Sequence, residues 1–111
     1  MSVSPEYQEY VTEQLATVGY IVAKRMFGGV GLYADGIFFA LLADDVLYLK
    51  VDDANRHDYE LAGMDAFRPY PDKSRVMQYY EVPVEVLEDQ EELHKWSMKS
   101  VAAALKTRKK K

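Results

Sequence analysis

His57 and His94 are the two histidines of this 111-residue chain, and each has a carboxylate about one helical turn before it. Asp53 precedes His57 by four residues, and Glu91 precedes His94 by three. Imidazole and carboxylate at this spacing bind metal in helical bundles when the motif occurs twice and neighbouring helices add further glutamates. Those further ligands are missing, so each pair reads as a solvated helix face. Gly29-Val-Gly31-Leu-Tyr-Ala34 fits G-x-G-x-x-A, a pattern that cradles a pyrophosphate where its glycines open a helix. Here Asp35-Gly36 and another apolar run follow, which is a hairpin context. The glycines therefore read as a structural turn or bulge.

Paired carboxylates at Asp44-Asp45 and Asp52-Asp53 have the composition of an acid–base site. Adjacent acids in a turn or cap ordinarily serve the backbone. Glu88-Asp89 and Glu91-Glu92 fall where the last helix begins, and negative charge is favourable there. None of Ser2, Ser4, Ser74, Ser97 and Ser100 lies in a nucleophile-elbow context. The chain has no cysteine, which excludes disulfides, thiolate nucleophiles and Cys-ligated zinc. The set of catalytic groups is empty. The expectation is a protein that is not an enzyme and has no cofactor and no metal.

One feature is suited to nucleic acid. Lys106, Arg108, Lys109, Lys110 and Lys111 form a basic tail, and without those five charges the net −4 becomes −9 over residues 1–105. Such a tail binds phosphates weakly, without reading sequence, and in a salt-dependent way. The acidic body opposes it. A solvated helix end is the plainer reading.

The elements that position these groups follow from periodicity. Ser4, Pro5 and Glu6 suit the N-cap, N1 and N2 positions of a helix over 5–18, which Gly19 would stop. Period-2 patterning predicts strands over 20–27, 29–33, 37–42 and 47–51, separated by Gly28, Asp35-Gly36 and Asp44-Asp45. The three glycines Gly28, Gly29 and Gly31 suggest unusual dihedrals or close backbone approach. Short connections imply an antiparallel meander. Asp52, Asp53 or Asn55 would cap a second helix ending near Gly63. A loop over 64–75 and a strand over 76–82 follow, ended by Pro83. Neighbouring aromatics, Phe38-Phe39 and Tyr79-Tyr80, must face opposite sides of their strands, and their outward rings are expected under a helix. The outward rings could instead make an interaction surface, and a ligand or substrate cleft lined by Tyr33, Tyr48, Tyr79 or Tyr80 is a further alternative. A final helix carries Leu93, Trp96, Ser100, Val101, Ala104 and Leu105 on its buried stripe, with a short turn over 84–88 before it. The class is α+β: an antiparallel sheet of about five strands, order α-β-β-β-β-α-β-α, with helices on one face, in a single domain over 1–111. No signal peptide or membrane-spanning run is visible, so a cytoplasmic location is expected.

Four blocks resemble the TfoX/Sxy N-terminal domain. They are R-M-F-G-G-V-G-L-Y-A-D-G-I-F-F-A from Arg25, L-Y-L-K-V-D-D-A-N-R from Leu47, M-Q-Y-Y-E-V-P from Met77, and L-E-D from Leu87 followed by Leu93 and Trp96. The matching residues Arg25, Met26, Phe27, Gly28, Gly29, Gly31, Tyr33, Asp35, Gly36, Tyr79, Tyr80, Pro83 and Trp96 look architectural. The resemblance implies a secretion-chaperone-like sheet with packed helices. It also implies a regulator of competence genes that cooperates with the cyclic-AMP receptor protein at promoters and catalyses nothing. Full-length regulators carry a second, C-terminal domain. This chain ends where that domain would begin, so a stand-alone protein-binding module is expected, with homodimers allowed by an exposed sheet edge.

Overall fold

The computed structural model describes residues 3–26, 29–67 and 78–109. Phe27, Gly28, residues 68–77 (much of the expected loop and the start of the fifth strand), Lys110 and Lys111 lie outside the described residues. The elements run α1 (Pro5–Gln14), β1 (Ile21–Met26), β2 (Gly29–Ala34), β3 (Ile37–Ala43), β4 (Val46–Lys50), α2 (Arg56–Leu61), β5 (Tyr79–Glu81), α3 (Val84–Leu87) and α4 (Gln90–Lys109). The five strands form one sheet in chain order, β1-β2-β3-β4-β5, with every neighbouring pair antiparallel. Among the described residues no helix is long and apolar enough to cross a membrane.

Local chemistry explains the joints. Ser4 caps α1 by accepting the Tyr7 N–H at 3.2 Å, and its own N–H donates to Asp45 Oδ1 at 2.8 Å, which fixes the helix start to the β3–β4 turn. α1 stops at Gln14, earlier than its apolar spacing suggests. Residues 15–18 tighten into turns in which Val18 N–H bonds the Leu15 carbonyl at 2.9 Å. Both two-residue hairpin turns have positive φ at both positions: Asp35 49° and Gly36 84°, then Asp44 51° and Asp45 57°. This is the type I′ signature, whose twist matches that of paired strands. Asn55 sits at the N-cap of α2 without capping it. Its amide instead accepts the Asp52 N–H at 2.8 Å and donates to the Lys50 carbonyl at 3.1 Å, fastening the helix to the end of β4. Asp89 caps α4 by accepting the N–H groups of Glu91 and Glu92 at 3.1 and 3.2 Å.

The main core lies on one face of the sheet. Val11 of α1 and Leu15 at its C-cap, Tyr59 of α2, Val86 and Leu87 of α3, and Leu93 of α4 pack there against Leu32, Phe39, Ala40, Leu42, Leu47 and Leu49. A β-bulge in β3 sorts the strand's apolar run. The register shifts so that Ala40 pairs with Leu32 while Phe38 pairs with Tyr33, and Phe39 is the extra residue. Phe39 and Ala40 both enter the core, and Phe38 and Leu41 both face the other way. The glycine cluster differs from expectation. Gly31 is a regular strand residue paired with Lys24 and Leu41, and Gly29 pairs with Met26. Among the described residues the positive-φ glycines are Gly19, Gly36 and Gly63.

Gly19 and Gly36 bracket the first hairpin and should respond differently to substitution. A Cβ at Gly19 would lie 2.7 Å from Asp35 Oδ2. The same carboxylate accepts the Tyr20 N–H through Oδ1 at 3.0 Å. Gly19→Ala should therefore cost about 1–2 kcal/mol through the displaced hydrogen bond, in addition to backbone strain at its φ of 157°. A Cβ at Gly36 meets open space, so Gly36→Ala carries only left-handed strain, roughly 1–2 kcal/mol. Asparagine tolerates that conformation, so Gly36→Asn should recover stability relative to Gly36→Ala, and Gly19→Asn should not recover relative to Gly19→Ala. Urea unfolding of the four variants checks this; recovery by asparagine at both sites would refute the steric account of Gly19.

Candidate functional site

Alternation along the strands gives the face of the sheet opposite the helices its own chemistry. Tyr33 of β2 stacks on Phe38 of β3 with centroids 5.1 Å apart, and Phe38 reaches Tyr79 of β5 at 5.6 Å. Tyr48 of β4 meets Phe67 at 4.7 Å. Two strand lysines complete the array: Lys24 Nζ lies 5.0 Å from the Tyr33 ring centre and Lys50 Nζ 5.3 Å from that of Tyr79. These are cation–π geometries. Leu41, Ala43, Phe67 and Tyr79 are buried here, so the face is a second, smaller core. The expectation that these outward rings lie under a helix is corrected, because residues 65–67 help cover them. Phe67 N–H bonds the Tyr79 carbonyl at 2.7 Å, Glu81 N–H bonds the Asp65 carbonyl at 3.1 Å, and Ala66 forms a bridge with Tyr80.

Tyr80 points to the helix side, where its ring lies 5.7 Å from that of Tyr59. Of the tyrosines named for a cleft, Tyr33, Tyr48 and Tyr79 share the outer face and Tyr80 is on the opposite one. Tyr59 meets the edge of the partly buried Trp96 at 4.7 Å. The Tyr59 and Ser97 hydroxyls are buried without a hydrogen-bond partner. Burial drives the Tyr59 hydroxyl far above its ordinary pKa, and the nearby Ser100 opposes this without reaching hydrogen-bonding geometry. Burial likewise pushes Tyr79 up to about 12, with Tyr33 adding to the effect. It pushes Tyr7 up to about 12 as well, against an interaction with the Leu47 backbone. Tyr48 is raised by burial and then by Glu81 and Asp44.

The remaining family-motif residues are dispersed. Arg25 lines an open groove of about 700 Å³ with Val3, Gln8, Glu9, Thr12 and Glu13. Asp35 and Gly36 form the β2–β3 turn. The carbonyl of the buried Pro83 accepts the Val86 and Leu87 N–H groups at 3.0 Å and so starts α3. In the basic tail, Lys106 Nζ pairs with Asp52 Oδ2 at 3.3 Å, and Arg108 and Lys109 continue the α4 backbone. Burial disfavours the Asp52 carboxylate, but the Ala54 N–H and Lys106 outweigh it and hold the pKa below the usual carboxylate value. Asp53 pairs with Arg56 at 2.6 Å rather than with His57, and His94 Nδ1 meets Thr17 Oγ1 at 3.0 Å. Gly29–Ala34 is strand β2, and β3 rather than a helix follows it. Among the described residues no three His, Asp or Glu side chains gather in a metal-binding cluster.

Sequence reasoning missed Lys24, Lys50 and Phe67. The two lysines were open to discovery, since alternation puts each on the face of a neighbouring tyrosine. Phe67 joins by pairing outside any strand run and left no periodic signal.

The family model of the TfoX N-terminal domain matches residues 13–104, most of the chain. A search of curated proteins finds no match.

The tyrosine shifts have a consequence at high pH. Folded pKa values near 12 for Tyr7 and Tyr79 exceed the ordinary 10.0. A raised folded pKa contributes stability that is full below pH 10 and lost as pH rises through about 12. Absorbance at tyrosinate wavelengths should show part of the signal of the nine tyrosines appearing only as the protein unfolds. Tyr79→Phe should move the alkaline unfolding midpoint upward. A single titration step complete before any loss of folded circular dichroism would contradict the burial account.

Proposed function

Because the chain belongs to the TfoX N-terminal domain family, we propose that it is a non-enzymatic module acting by protein–protein interaction in bacterial transcription control. Family membership over residues 13–104 is the observation that carries this reading. The ionisable chemistry supports it. The strongly perturbed hydroxyls are tyrosines pushed upward by burial, the direction that disfavours the reactive tyrosinate and accords with packing residues. Two of the carboxylates noted as acid–base candidates serve the backbone, since Asp45 anchors Ser4 and Asp52 accepts the Ala54 N–H, and Asp53 pairs with Arg56. The partner implied by the family is a transcription regulator of the cyclic-AMP receptor protein kind, met in the cytoplasm.

The basic tail is the rival source of binding, and the Lys106–Asp52 pair weighs against it because one of its charges is already matched. Tagged full-length chain and a version truncated after Leu105 should both retain a transcription regulator or polymerase subunit from nuclease-treated host lysate. Retention only of nucleic-acid-associated proteins, lost with the tail and weakened steeply by salt, would overturn the protein-binding reading.

A further inference from the structure

The two edges of the sheet are finished differently. Beyond β5, residues 65–67 pair with Tyr79–Glu81, so that edge is occupied. β1 bonds β2 on one side only. The Asp35 N–H bonds the Tyr20 carbonyl at 2.9 Å, which fixes the alternation of the ladder. From that pair onward, Val22, Lys24 and Met26 turn their backbone groups toward β2, and Ile21, Ala23 and Arg25 turn theirs away. No described residue bonds those three outward N–H and three outward C=O groups.

Edge strands are commonly guarded by a lysine. Here the candidate guard, Lys24, is held 5.0 Å above the Tyr33 ring of its own sheet. Beside the edge stands Tyr20, 76% exposed, where the chain enters the strand. An exposed aromatic next to a strand that no further described residue pairs, with its lysine drawn onto its own sheet, marks a surface open to a partner strand.

We propose that the β1 edge pairs antiparallel with β1 of a second copy, joining two sheets across a two-fold axis at Ala23. In that register Ala23 faces Ala23 of the other copy and Ile21 faces Arg25, so all the outward backbone groups meet partners. Ala23 is small, so the axis is not crowded by a side chain. Charge also favours this arrangement over a parallel one. A parallel pair in register would set Lys24 and Arg25 of the two copies side by side. Antiparallel pairing sets Arg25 opposite Ile21 and keeps those like charges apart. A strand pair this short gives a weak, concentration-dependent dimer, at the small end of specific interfaces.

The test uses the full chain. Sedimentation across a wide concentration range should show conversion from 12.7 kDa toward twice that mass. Hydrogen exchange at low and high concentration should show Ile21, Ala23 and Arg25 amides gaining protection, with Val22 and Lys24 protected throughout. Ala23→Pro removes an outward N–H that β2 does not use, so the monomer should keep its circular dichroism and lose the dimer. Ala23→Asp, which sets two like charges at the axis, should do the same by an independent route. A monomer at every concentration overturns the proposal. So does a dimer that survives both substitutions in folded protein, or protection of the three amides that does not change with concentration.

Discussion

The bulge at Phe39 is the constraint on which both faces of the sheet depend. β3 is the central strand, and its seven residues, Ile37–Ala43, are all apolar, so hydrophobicity alone does not say which side each should face. One extra residue in the ladder settles it. Before the bulge, Phe38 stands beside Tyr33 and Tyr79 on the outer face; after it, Ala40 and Leu42 face the helices, with Phe39 between them. Strict alternation from Leu42 back would turn Phe38 inward, into the space that α4 occupies against β3, and would take the centre out of the outer aromatic row.

That dependence marks the limit of what the sequence could reveal. The hairpins were legible because Asp35-Gly36 and Asp44-Asp45 are residues that tolerate positive φ between apolar runs. The two faces of β4 were legible because Val46, Tyr48 and Lys50 alternate with the buried Leu47 and Leu49. β3 offers no such alternation, and the bulge arises from how two strands fit together rather than from either alone. The same holds at Ala66 and Phe67, whose pairing with β5 comes from a segment that composition marks as loop. Asn55 is a third instance. Its type suited a helix cap, but a closer acceptor at Lys50 and donor at Asp52 engaged the side chain instead.

Charge is organised around α4. Lys99 pairs with Asp58 at 2.8 Å and Lys106 with Asp52 at 3.3 Å, so the last helix runs antiparallel to α2 with two of its lysines on that helix and the turn before it. Exposed pairs of this kind are each worth little, about 0–1 kcal/mol. Their consequence lies in direction: just beyond the Lys99–Asp58 pair the Tyr59 ring meets Trp96, and a helix lying the other way would lose that contact as well as both ion pairs. The division into acidic body and basic tail is thus less sharp in three dimensions than along the chain, because the tail begins by neutralising part of the body.

Such an arrangement narrows where this family module can meet another molecule. One sheet face lies under helices, the other is filled by its own aromatics and by Phe67, and the β5 edge is taken by residues 65–67. Among the described residues, what is left near the sheet is the β1 edge with the groove beside it. Backbone pairing at an edge is indifferent to sequence, so discrimination there must come from side chains standing next to it. Those are Arg25 from the strand and Glu9 and Glu13 from α1, charges of both signs lining one groove. A strand pairing at this edge would lie beside charges of both signs. Those neighbours add a charge condition to hydrogen bonding that is otherwise indifferent to sequence.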